Sequence, residues 1–293
     1  MSIFQKILTF GCLLFASTSV PAEPLFISDG KLSDGCIALC KALKIKAATP
    51  QEFNECFQRY LGECYKDFTR KPKCTLREFT VACGLLGVLE EVLPKRDSYD
   101  YIVIIGSDTE SMEEECSFLK NELESILANN PSIKIYFLTE TRPLNWQVDS
   151  VAIVRELQDG DLELTETNAA RLIWEKFFGR SPLGCNFVDV EIDPVSREWP
   201  PGAATMYRLL EEHAYLPGAM LLISVNPFIA YQDIVCRNIC KQKGWFAGGG
   251  SLETVGYGVS CQRFGVKFVV NVLLDAIAKL AFEEMKFLTA GDQ

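Results

Sequence analysis

Tyr101-Ile-Val-Ile-Ile105 is an unbroken apolar run, the pattern of a strand buried on both faces. Such a strand needs partners along its edges and cover on both sides, which restricts the chain to a layered architecture. The segments that follow alternate to match. A helix is predicted over Glu113–Leu127, a strand over Ile133–Leu138 and a helix over Thr167–Phe178. A third strand over Phe187–Ile192 leads to a helix over Ala203–Tyr215, and a fourth over Met220–Val225 to a helix over Tyr231–Lys241. Leu252–Val255 is a short fifth strand. Strands separated by helices imply crossover connections, so the prediction is α/β: a mostly parallel, Rossmann-like three-layer sandwich. In the last segment, Val266–Leu288, the polar residues Lys267, Asn271, Asp275, Lys279 and Glu283 recur every fourth position on an otherwise apolar rod. That spacing predicts a helix largely buried against the sheet. Polar groups in every turn argue against a membrane span.

The front of the chain follows a different rhythm. Lys6, the apolar stretch Ile7–Phe15 and the small-residue exit Val20-Pro21-Ala22 have the form of a secretory signal peptide over residues 1–22. Its apolar run is too short for the roughly twenty residues that span a bilayer. Residues 23–95 form a Cys-rich helical segment, with Thr49-Pro50-Gln51-Glu52 as a helix start and a third helix from about Thr75 to Leu89. Six cysteines fall here: Cys36, Cys40, Cys56, Cys64, Cys74 and Cys83. In an oxidising compartment they are disulfide candidates. Cys40 to Cys56 is the simplest staple of a helical hairpin, one of 15 pairings that six cysteines allow. A zinc site is the other option, but the region has no His and no CxxC, so no metal is expected. The polar stretch Leu93–Asp100 separates this segment from the α/β domain, residues 96–293.

Charge narrows the partners. The chain carries a formal net charge of −10, and the α/β domain holds 17 Lys/Arg against 29 Asp/Glu. Such a domain repels a phosphate backbone, so nucleic acid is not an expected partner. Nor is an anionic membrane surface.

In open α/β sheets ligands lie beyond the carboxyl ends of the strands, where strand order reverses. The candidates are therefore Gly106, Ser107 and Asp108 after the first strand, and Arg142 after the second. Glu166 opens a helix, and Asn226, Tyr231 and Gln232 follow the fourth strand. A Gly-Ser-Asp turn entering a helix offers backbone N–H groups to an anion or polar ligand, although Ser107 and Asp108 have equally the chemistry of helix caps. Arg142 suits a carboxylate or phosphate clamp, or a surface ion pair. The chain has no GxSxG elbow, HExxH, Walker loop or GxGxxG turn, and only one histidine, His213. No cofactor is expected and no catalytic residue is assigned. Any Ser-His or Cys-His pair would have to use His213.

Over roughly residues 99–262 the order of elements resembles the SanA/YdcF-like proteins, bacterial envelope-associated α/β domains of largely unassigned activity. Tyr101–Gly106 resembles their opening strand and glycine turn, and Ile133–Thr139 their second strand. Thr165-Glu166-Thr167 is similar to their Ser-Glu-Ala helix entry, and Leu221–Pro227 to a later Val-Thr-Ser turn. Where that family has a second Gly-Gly this chain has Glu140-Thr141, and where it has His and Arg this chain has Tyr231 and Gln232. The resemblance implies a periplasmic or secreted envelope domain that binds a polar or anionic small ligand at its strand ends. The alternative is a secreted, effector-like interaction protein that meets a protein partner through residues 23–95 and uses the α/β domain as a scaffold.

Overall fold

A computed structural model describes residues 24–27, 30–62, 75–145, 149–179, 184–191, 202–213, 216–259 and 261–290. The expected signal, residues 1–22, lies outside them, as do Cys64 and Cys74. The chain divides into two compact units. Residues up to Val92, Asn226–Tyr231 and Gly258 onward make a helical unit, while Leu93–Val225 and Gln232–Tyr257 make a sheet unit. The first division falls where the polar linker begins.

In the sheet unit, β1 (Tyr101–Ile105), β2 (Lys134–Glu140), β3 (Cys185–Val190), β4 (Ala219–Val225) and β5 (Ser251–Tyr257) form one parallel sheet in the order β3-β2-β1-β4-β5. The chain thus builds outward from β1 in one direction, then returns to its other edge. All five residues of β1 are buried, as the apolar run requires. Ile104 pairs with Phe137 on one side and with Ile223 on the other. Helices α4 (Thr109–Asn129) and α6 (Glu166–Phe178) pack against each other on one face, and α5 (Val151–Asp159) packs on α6. Helix α7 (Ala203–Glu212) covers β2 and β3 on the opposite face. Right-handed crossover places α8 (Ile229–Gln242) on the α7 face as well. There Asp233 accepts the Thr254 hydroxyl at 2.7 Å, and Arg237 donates to the Leu252 carbonyl at 2.9 Å. The α/β sandwich expected from the strand pattern is the fold of this unit. Helix α5 was not foreseen, because Val151–Asp159 is too short to impose a period.

The helical unit contains α1 (Asp34–Leu43), α2 (Pro50–Gln58), α3 (Leu76–Leu85) and α9 (Cys261–Ala290). The helix starts follow the sequence. Thr49 caps α2 through the Glu52 N–H at 3.2 Å with Pro50 in the first turn, and Thr75 with Glu78 closes a capping box on α3. The last helix differs from expectation in its grouping. Instead of belonging with the sheet, α9 packs along α2, and two of its carboxylates, Asp275 from the polar stripe and Glu284 beside it, pin the N-terminal chain. Asp275, fully buried, accepts the Gly62 N–H at 2.5 Å and pairs with Lys279 at 2.8 Å. Glu284 accepts the N–H groups of Leu25 and Phe26, each at 2.9 Å. Apolar periodicity shows that a helix is buried without showing against what.

The disulfide expectation is corrected at the described positions. Cys36, Cys40 and Cys56 are free thiols, so the Cys40–Cys56 staple is not formed. Cys36, Cys40 and Cys83 are buried and serve as small apolar groups between helices. Burial, aided by the neighbouring Cys56, pushes the Cys40 thiol up to about 11, so it is neutral at ordinary pH.

The core of the helical unit is aromatic. Phe53, fully buried, stacks on Phe57 at 4.2 Å and meets Phe26 edge-on at 5.8 Å. Phe53→Ala is expected to cost about 3–5 kcal/mol in urea unfolding of the whole chain, with faster amide exchange in α2 and at Phe26. A loss under about 1 kcal/mol would show that this cluster does not carry the unit.

Candidate functional site

The sheet unit gathers five of the eight candidate residues at the carboxyl ends of β1 and β2. After β1 the chain turns through Gly106 and Ser107 to Asp108, which caps α4. The Asp108 carboxylate accepts the Ser111 N–H at 3.0 Å and its hydroxyl at 2.7 Å. The cap chemistry of Asp108 is therefore realised, leaving Ser107 to donate weakly to the Asp108 carbonyl at 3.4 Å. Gly106 sits where backbone and carboxylate crowd together. A Cβ there would overlap the Glu166 carboxylate and the Leu138 carbonyl, so only glycine fits without a shift of β2 or α6.

Arg142, on the loop after β2, is the hub. Its Nε donates to Glu166 Oε2 at 2.5 Å, its Nη1 to Asp149 Oδ2 at 3.3 Å and its Nη2 to the Ser107 carbonyl at 2.8 Å. The sequence offered this residue as a clamp for a ligand anion or as an ion-pair partner. In the structure its guanidinium is taken up by the protein's own acceptors. Glu166 also accepts the Glu140 N–H through Oε1 at 3.0 Å, so both its oxygens are occupied. Asp149 was missed in the sequence. It precedes the unforeseen helix α5, and its carboxylate accepts the N–H groups of Thr109 at 3.1 Å and Asn145 at 2.7 Å. Two loops and the starts of α4 and α6 are thereby tied together.

One guanidinium faces two buried carboxylates, with Glu140 close by. Burial pushes Glu166 up to about 7; Arg142 pulls the other way, and Glu140 adds to the rise. Burial opposes the Arg142 charge as well, but Glu166 and Asp149 outweigh it and hold the guanidinium above its ordinary range.

The remaining three candidates lie elsewhere or stand apart. Asn226 and Tyr231 belong to the helical unit. There the Asn226 amide donates to the Glu90 carbonyl, and Lys279 lies 6.0 Å from the Tyr231 ring. Gln232 belongs to the sheet unit, and its Oε1 is buried without a hydrogen-bond partner. A second buried polar atom has none either: the Ser224 hydroxyl, at the end of β4 and fully buried. Among the described residues no three His, Cys, Asp or Glu side chains are arranged to hold a metal ion, and no helix is long and apolar enough to cross a membrane. Comparison with family models, curated proteins and solved structures finds no match to this chain.

Arg142→Met would leave Glu166 and Asp149 facing each other without a counter-charge. The expected loss is about 3 kcal/mol at pH 8. The sign with pH follows from Glu166. Its folded-state pKa, about 7, lies above the ordinary 4.5, so its contribution to stability is complete below about pH 4.5 and is lost as pH rises through 7. Without Arg142 the folded pKa rises further, so the penalty should shrink from pH 8 to pH 5. Urea unfolding at both pH values measures this, and a penalty independent of pH would contradict the cluster electrostatics.

Proposed function

We propose that the sheet unit binds a small polar ligand at the carboxyl ends of its strands, where the order reverses between β1 and β4. The observation that carries this reading is the strand order β3-β2-β1-β4-β5, because open α/β sheets take ligands beside such a reversal. The fully buried, unpartnered Ser224 hydroxyl at the end of β4 adds weight, because a buried polar group without a partner is destabilising unless something supplies one. Of the two ligand classes suggested by the sequence, the polar one is favoured over the anionic. Asp108, Glu140, Asp149 and Glu166 outnumber Arg142, whose guanidinium already has three acceptors.

Export belongs to the same proposal and rests on the leader-like residues 1–22, as the kinship to SanA/YdcF-like envelope proteins rests on the order of elements over residues 99–262. The effector-like reading draws on a different observation. In the helical unit Ile37, Val81 and Leu85 are 45–53 % exposed, apolar side chains that a protein partner could cover.

A thermal-shift panel of neutral polyols, amino acids, amines, carboxylates and phosphates, run on the whole chain, tests the ligand reading. A neutral polar compound at a hundredfold excess over its Kd should raise Tm by about 5 °C, with phosphates inert. No shift from any neutral compound would count against it, and stabilisation by phosphates alone would reverse the electrostatic argument.

A further inference from the structure

Helices α1 and α3 pack side by side in the helical unit. A Cβ on Gly35 would meet the Leu86 side chain and the Leu85 backbone, so the amino end of α1 lies against the carboxyl end of α3. At the other end Thr75 first, then Lys44 and Lys41, hold the Glu78 carboxyl below its ordinary range. Lys41 and Lys44 therefore sit beside the first turn of α3. The two helices are antiparallel. Equal rise along both brings Ile37 level with the turn between Val81 and Leu85.

Each helix carries an outward stripe. On α1, Asp34, Ile37 and Lys41 are exposed at i, i+3 and i+7; on α3, Arg77, Val81 and Leu85 are exposed at i, i+4 and i+8. Helix polarity accounts for Asp34 in the first turn of α1 and Lys41 in its last. It does not account for three large apolar side chains half in water at one level.

The charges around them sort by end. Lys41, Lys44 and Arg77 lie at one end, where Glu78 is engaged by its capping box. Asp34 lies at the other, together with the Glu90 carboxylate, 3.5 Å from where a Cβ on Gly84 would sit. A uniformly charged partner would oppose one of these ends. A second copy, turned end for end, complements both. Asp34 and Lys41 stand equally far from the point between Ile37 and Ala38. A two-fold axis through that point lays α1 antiparallel on the α1 of the second copy. Ile37 then meets the smaller Ala38 of that copy, and each Asp34 meets a Lys41. Residues 23–95 hold 11 Lys/Arg against 10 Asp/Glu, so copies meeting here escape the repulsion that two acidic α/β domains would face.

We propose that the α1–α3 face is a self-docking surface, on which two copies pair about a two-fold axis between Ile37 and Ala38. The apolar centre excludes water, and the Asp34–Lys41 pairs fix the register. Two helices about 15 Å long and about 10 Å wide offer about 300 Å² per copy, below the roughly 800 Å² per partner of a stable complex. The pairing is therefore weak and reversible, with a Kd of roughly 10–100 µM. It is independent of the ligand reading of the sheet unit, and it gives the surface of the effector-like reading a second copy as its partner.

Sedimentation equilibrium of the whole chain, over about 5–500 µM, spans that range. The chain should be monomeric at the low end and largely dimeric at the high end. Ile37→Glu should raise Kd at least about tenfold. Asp34→Lys or Lys41→Asp alone should weaken pairing by a similar factor, roughly tenfold. Both changes in one chain should restore the parent's Kd, because the ion pairs re-form with reversed sign. All three positions are exposed, so urea midpoints should stay near the parent's. A parent that is monomeric throughout overturns the proposal, as does a dimer indifferent to Ile37→Glu. Single reversals without effect, or no recovery in the double variant, overturn the two-fold register. A monomeric parent whose Ile37 and Leu85 amides shift with phosphatidylcholine vesicles overturns self-docking in favour of a lipid surface.

Discussion

The sheet unit depends on β1 being enclosed on every side. A five-residue strand with no polar position cannot lie at an edge or face water without exposing most of its apolar surface, and burial of each large aliphatic side chain contributes about 1.5–3 kcal/mol. Parallel partners on both edges and helices on both faces satisfy that demand. With β1 central and right-handed crossovers, the chain can add β2 and β3 on one side and must then return to place β4 on the other. The reversal of strand order is thus a consequence of where the most apolar strand sits.

The loops at that end are held by charge rather than by apolar packing. Arg142 joins the loop after β1, the loop after β2 and the start of α6 through three acceptors, and Asp149 extends the tie to the first residue of α4. A buried ion cluster of this kind gives modest net stability but fixes geometry, since removing one partner strands the others. The same economy explains why Gly106 is glycine: Glu166 occupies the space a side chain would need. The residues that most resembled ligand contacts in the sequence are largely contacts to one another.

Much of the architecture was legible because it is written locally. β1 and β4 are short apolar runs, the caps at Thr49, Thr75, Asp108 and Thr165 precede their helices, and all five strands lie within two residues of their expected positions. What escaped depends on tertiary geometry. The nine residues of α5 carry too few turns to reveal a period, so Asp149 before it looked like loop. The grouping of α9 with α2 was invisible, because a helix apolar on most sides names no partner. Arg142 and Glu166 were both flagged, yet nothing in their spacing shows that they pair with each other. Ser224 stands between apolar residues in a strand, and only the register shows that its neighbour is Gly256 and its hydroxyl lacks a partner.

Interstrand contacts measured by NMR on the amide and α-protons of Ile104 test the central claim most directly. The account predicts contacts from Ile104 to both Phe137 and Ile223 in parallel register. Contacts to one of them alone, or an antiparallel pattern to either, would place β1 at an edge or reverse a neighbour, and the reversal of strand order between β1 and β4 would not exist.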